Sequence, residues 1–131
     1  MQDSEMREML IEYMGKGFLD NIIALFKQDK SLFRFIPDML GNENIRVRLG
    51  TVALVEELEP GHRSELRDAV PGLLALLHHE NPTIRGDAAS VLGTIKSGSA
   101  KEALAAACLN DSHAGVREAA CEAVKEIEGA G

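Results

Sequence analysis

Tryptophan is absent from this 131-residue chain, and aromatic residues of all kinds make up 4% of it. A core without large rings has to be assembled from Ala, Val, Ile and Leu, which suits closely packed helices better than stacked sheets. No apolar run approaches the ~20 residues needed to cross a bilayer. The opening Met1-Gln2-Asp3-Ser4-Glu5 has neither a basic nor an apolar leader region, which points to a cytoplasmic protein. A basic excess is missing too. The formal net charge is −7, and neither half of the chain is cationic, so a phosphate backbone would be repelled and nucleic acid is not an expected partner. Cys108 and Cys121 are the two cysteines. They lie among alanines, thirteen apart, with no CxxC and no supporting His pair. They read as small buried hydrophobes in a reducing compartment rather than as a disulfide or zinc pair.

The chain does contain an internal repeat. Val47-Arg48, Ile84-Arg85 and Val116-Arg117 each open a similar twelve-residue stretch. Their offsets of 37 and 32 residues fall in the range of stacked helical arrays. A leucine (Leu40, Leu77, Leu109) stands seven residues before each pair. The spacing predicts second helices over 45–58, 82–95 and 114–127, with Thr83 as a cap of the middle one. First helices are predicted over 31–40, 64–79 and 100–109, the last capped by Ser99. Pro37 and Pro71 fall inside two of these, and Pro71 implies a kink or restart. The turns are Gly41–Asn44, Asn81-Pro82 and Asn110–His113. Residues 3–28 form a degenerate pair without the aliphatic-Arg signature. Every Phe, Tyr and Met lies within the first 39 positions, so this pair either seals the end of the array with its own bulky side chains or offers a Met/Phe surface to a partner.

The pattern Leu-x-Asp-x-x-x-x-Val-Arg-x-x-Ala, present as Leu109, Asp111, Val116, Arg117 and Ala120, resembles the HEAT-like repeat, and most closely the short type found in phycobilin lyase subunits. The middle unit matches through Pro82, Ile84, Arg85, Ala88, Ala89, Leu92 and Gly93, with His79 where Asp is preferred. The first has Asn42 there and Ile45 in place of Pro. The resemblance implies an all-α superhelix of about four helical hairpins in one domain over 1–131. Its parts would be a degenerate hairpin at 1–30 and repeats at 31–61, 62–98 and 99–128. Members of the family are mostly protein-interaction scaffolds and a few are enzymes. The implied role is a non-enzymatic adaptor binding another protein on its concave, second-helix face. The alternative is an accessory or lyase-like subunit acting on a cofactor-bearing protein.

Along that face the positions outside the predicted core include Glu56, Asp87, Glu118 and Glu122, an acidic strip suited to a basic or helical partner segment. Arg48, Arg85 and Arg117 recur at one place in each repeat. They are expected to bond turn carbonyls or the Asp/Asn of an adjacent turn, and the rival role is a row that reads an anionic ligand. His78-His79-Glu80 is the most enzyme-like string. Adjacent residues point to different helix faces, however, and no metal site, cofactor or catalytic constellation is assigned. The ending Glu128-Gly129-Ala130-Gly131 brings no polar capping helix, so self-association through an open end is an expectation.

Overall fold

The computed structural model describes residues 2–130, and Met1 and Gly131, named above as parts of the two ends, lie outside them. Among the described residues all regular structure is helical. The chain divides into two compact units between Ala69 and Val70.

In the first unit α1 (Asp3–Gly15) and α2 (Leu19–Gln28) form the N-terminal hairpin. The turn between them needs glycine, because Gly17 has φ +88°. With Gly17 left-handed, the Phe18 amide donates back to the Tyr13 carbonyl and the Gly17 amide to that of Met14, which satisfies carbonyls at the end of α1. Leu10 and Met14 of α1 and Ile22 and Phe26 of α2 are buried. Phe26 also meets Phe33 edge to face, with ring centroids 5.3 Å apart. A Cβ added to Gly50 would come 2.7 Å from Met14 Cγ, so the missing side chain is the notch that seats this methionine against α4 (Ile45–Leu58).

The expected helix over 31–40 is split. A 3-10 helix spans Lys30–Phe35, and α3 is confined to Ile36–Leu40. Asp29 Oδ1 accepts from both the amide (3.0 Å) and the hydroxyl (2.6 Å) of Ser31, which fixes the tight start. Pro37 falls in the first turn of α3, where an amide has no intrahelical partner to lose. The short α5 (Arg63–Leu66) and a 3-10 turn at Arg67–Ala69 end the unit.

The second unit begins with α6 (Val70–Leu76). The helix expected over 64–79 is thus three pieces. Pro71 restarts the chain as an α-helix in its first turn instead of kinking a continuous one. Then come α7 (Pro82–Ile95), a 3-10 turn at Gly98–Ala100, α8 (Lys101–Asn110) and α9 (Ala114–Ala130). Ser99 lies in the 3-10 turn, and α8 has no side-chain cap bond. α9 packs against both α7 and α8. The approach to α7 is close because the contact is made of small residues: a Cβ on Gly93 would stand 2.9 Å from both Cα and Cβ of Ala123. Ala88, Ala89, Leu92, Ala120 and Ala123 are all buried. Each fully buried Leu, Ile, Val or Met removes apolar surface worth roughly 1.5–3 kcal/mol.

One sequence expectation is overturned in this unit. Cys108 and Cys121 are joined as a disulfide, with Cα atoms 4.8 Å apart, and both are half-buried. Spacing along the chain gave no hint of this, because it is the α8–α9 turn that folds the two positions onto each other. The shared leucines also differ in burial. Leu40 and Leu77 are 0% and 6% exposed, but Leu109 is 77% exposed, so the shared leucine spacing marks equivalent positions without equivalent burial.

Candidate partner-binding face and the arginine row

The turns that lead into α4, α7 and α9 are built by one device used twice in each. Asn42 Oδ1 accepts from the Asn44 amide at 2.9 Å, His79 Nδ1 from Asn81 at 3.0 Å, and Asp111 Oδ1 from His113 at 2.9 Å. The second acceptor of each pair then caps the following helix. Asn44 Oδ1 takes the Arg46 amide, Asn81 Oδ1 takes Thr83, and His113 Nδ1 takes Gly115. Short acceptor side chains that bond two residues ahead favour turns and helix starts for this reason. Asn81 is therefore the cap of α7, and Thr83, expected in that role, is the residue it caps. His79 does with Nδ1 what Asp111 does with a carboxylate oxygen, which accounts for histidine at that position.

The arginines reach into the same turns. Arg48 Nη1 donates to the carbonyls of Asn42 (3.0 Å) and Glu43 (2.7 Å). Arg85 Nη1 donates to those of His79 (2.9 Å) and Glu80 (3.2 Å). Arg117 Nη1 donates to that of Asp111 at 2.7 Å. Arg85 goes further and grips the next turn: Nε lies 3.0 Å from Asp111 Oδ2, and Nη2 lies 3.1 Å from Oδ1. The fork places two N–H groups on two carboxylate oxygens, a geometry lysine cannot copy. The side chains are 13% and 9% exposed. The Arg85 guanidinium, helped by the His113 amide, holds the Asp111 carboxyl below its ordinary value of 3.8 against an opposing desolvation effect.

The second helices α7 and α9 leave a groove of about 290 Å³ between them. It is lined by Pro82, Thr83, Gly86, Asp87 and Ser90 on one side and by His113, Gly115, Val116 and Ala119 on the other. Gly86 opens it, since a Cβ there would only reach 4.0 Å from Val116 Cγ2. Asp87 lines this groove and is half-buried. Glu118 and Glu122 are exposed on α9 and are not among the lining residues; Glu122 pairs with Lys125 at 3.6 Å. Glu56 is exposed on α4 in the first unit. The structure thus brings Asp87 into a concavity and leaves the other three carboxylates on open helix surface. His113 was not anticipated as a wall of the groove. The signal available in the sequence was its place two residues after Asp111, where it caps α9.

A second groove, of about 430 Å³, lies on the N-terminal hairpin between Met9 and Tyr13 of α1 and Asn21, Ala24, Leu25 and Gln28 of α2. The hairpin's other side carries the buried Leu10, Met14, Ile22 and Phe26, so sealing residues and open residues occupy opposite faces of the same helix pair. Among the described residues no three His, Cys, Asp or Glu side chains converge as a metal set. None of the described helices is long and apolar enough to cross a membrane.

The structure is that of a helical-hairpin repeat protein, in which the turns before α4, α7 and α9 share one design and each receives an arginine. A family model for HEAT repeats matches residues 34–125, more than two thirds of the chain, and the protein belongs to that family. The N-terminal hairpin precedes the matched segment. No curated protein matches the chain.

Proposed function

We propose that this protein is a non-enzymatic interaction scaffold that holds a segment of another protein against its second-helix face. HEAT repeats commonly mediate protein–protein interaction, and one observation carries the reading to a place. The α7–α9 groove is walled by small residues, with Asp87 at its side, and the exposed Glu118 and Glu122 stand on α9 beyond it. A groove of this kind fits an extended or helical peptide whose small apolar side chains enter between the helices. Basic groups on the same peptide would meet the carboxylates. Arg48, Arg85 and Arg117 are assigned to the framework in this reading, since their donors are turned onto turn carbonyls and Asp111. A row reading an anion would need those donors free.

The test is photocrosslinking in cells of the source organism, with a photoreactive residue at Ser90 in the groove and, as control, at Glu102 on α8. A discrete partner captured from Ser90 and not from Glu102 is the expected result. Glu118→Lys with Glu122→Lys should reduce that capture at least about tenfold while leaving the melting temperature unchanged, because both residues are exposed. Capture from Glu102 alone would move the binding face to the first helices and overturn the proposal.

A further inference from the structure

The Cys108–Cys121 link lies where it can control more than its own hairpin. It joins the last turn of α8 to the middle of α9 and closes the segment 109–120 into a loop. That segment contains the whole turn: Asp111, which receives both Arg85 and Arg117, and His113, which caps α9. It also supplies one wall of the α7–α9 groove through His113, Gly115, Val116 and Ala119. Both cysteines are half-buried, within reach of a small thiol. The reduced state has a partner as well: Cys121 Sγ lies 3.8 Å from the Cys108 carbonyl oxygen, so a free thiol there has an acceptor.

We propose that Cys108 and Cys121 are a reversible dithiol–disulfide pair through which the surrounding thiol redox state sets the order of the 110–117 turn. The reductant is a low-molecular-weight thiol of the glutathione class. Its thiolate attacks one sulfur, breaks the S–S bond and forms a mixed disulfide, and the other cysteine leaves as a thiolate and takes a proton. A second thiol then releases the first cysteine. Two electrons and two protons end on the protein, and one oxidised small-molecule disulfide is formed. With the loop open, the turn rests on its hydrogen bonds: the Arg85–Asp111 clasp, the Arg117 bond to the Asp111 carbonyl and the side-chain acceptors. This inference concerns the state of the turn and does not depend on what the groove binds.

The experiment uses the full chain, equilibrated in buffers of graded reduced-to-oxidised glutathione ratio. Alkylation and mass measurement give the fraction disulfide-bonded, and hydrogen exchange is followed peptide by peptide. Across the titration the fraction oxidised should change sigmoidally and reversibly. Exchange at the amides of His113, Val116 and Arg117 should quicken at least about tenfold in the reduced form, and peptides from α4 should not change. The melting temperature should fall by roughly 5–10 °C on reduction. Cys108→Ala with Cys121→Ala should be insensitive to the buffer and match the reduced protein, which separates loop closure from any side effect of the thiol. Two alkylated cysteines even in the most oxidising buffer would overturn the proposal, as would equal exchange rates in both states.

Discussion

Replacing Arg85 tests the physical account of the turns most directly. Arg85→Met keeps the length of the stem and removes every donor. The change leaves Asp111, 9% exposed in its side chain, without its fork partner, and takes a donor from the carbonyls of His79 and Glu80. A hydrogen bond to a charged group is worth about 1.5–3 kcal/mol, and breaking a fully buried ion pair costs about 3–5 kcal/mol. The pair sits at a turn with some solvent contact, so the lower end applies, and the expected loss is about 2–3 kcal/mol. For a chain of this length that is a fall in melting temperature of roughly 6–12 °C. Arg117→Met should cost less, about 1 kcal/mol, because its Nη1 meets a carbonyl and grips no carboxylate. A double-mutant cycle of Arg85→Met with Asp111→Asn should return a coupling of about 1–2 kcal/mol. The acid dependence has a definite sign. Asp111's folded pKa is depressed, so its contribution is fully present above the unfolded value near 3.8 and is lost as the pH falls through the folded value. The stability gap between wild type and Arg85→Met should stay level from neutrality to about pH 5 and close below the ordinary aspartate range. Chemical denaturation at a series of pH values reads all of this. A loss under about 0.5 kcal/mol, or a gap unchanged at pH 3, would refute the clasp as a stabilising element.

Further outcomes follow from other positions. Gly93→Ala should destabilise by about 1–3 kcal/mol, although alanine gains about 1 kcal/mol in helix propensity, because the new Cβ meets Ala123 backbone at 2.9 Å; urea titration gives the sign. His79→Ala should cost about 1 kcal/mol by removing the acceptor for the Asn81 amide, and His79→Asp should restore most of it, as melting curves of the pair would show. Lys96 holds φ +59° at the end of α7, so Lys96→Gly should raise stability by about 0.5–1 kcal/mol in the same assay. Gly17→Ala, at φ +88°, should lower it by about 1 kcal/mol.

The second helices were legible to within a few residues because three signals agree in them. Ile45–Leu58 and Pro82–Ile95 have an apolar period, a turn residue before them and a clear stop. The first helices were not. Around 31–40 and 64–79 the apolar spacing fits a helix, but it fits a 3-10 segment followed by a short helix equally well. The choice rests on Asp29 bonding Ser31 and on where each proline falls. The Asp and Asn of the turns announced themselves as turn formers, but the twofold use of acceptors two residues apart emerges from geometry. Histidine at positions 79 and 113 hides it, since histidine is not read as a capping residue. The disulfide was illegible for a plainer reason: a cysteine in an alanine-rich helix carries the same pattern whether or not a second one faces it.

The carboxylates of α9 show how a repeat register can mislead about a surface. Gly86, Ser90 and Gly93 of α7 correspond, 32 residues on, to Glu118, Glu122 and Lys125 of α9. Gly93 lies against Ala123 of α9 with no room for a Cβ, whereas a Cβ on Gly86 would just reach Val116 at 4.0 Å. Glu118, Glu122 and Lys125 are exposed, so charge stands on α9 where α7 carries small residues. Equivalent positions thus carry opposite chemistry, and the acidic strip that the repeat suggests is two surfaces. One is the groove with Asp87; the other is the outward flank of α9. For a partner seated in the groove, the α9 carboxylates lie on its rim in solvent. Their influence should fall on association rate and salt dependence, while side chains seated in the groove itself set the dissociation rate.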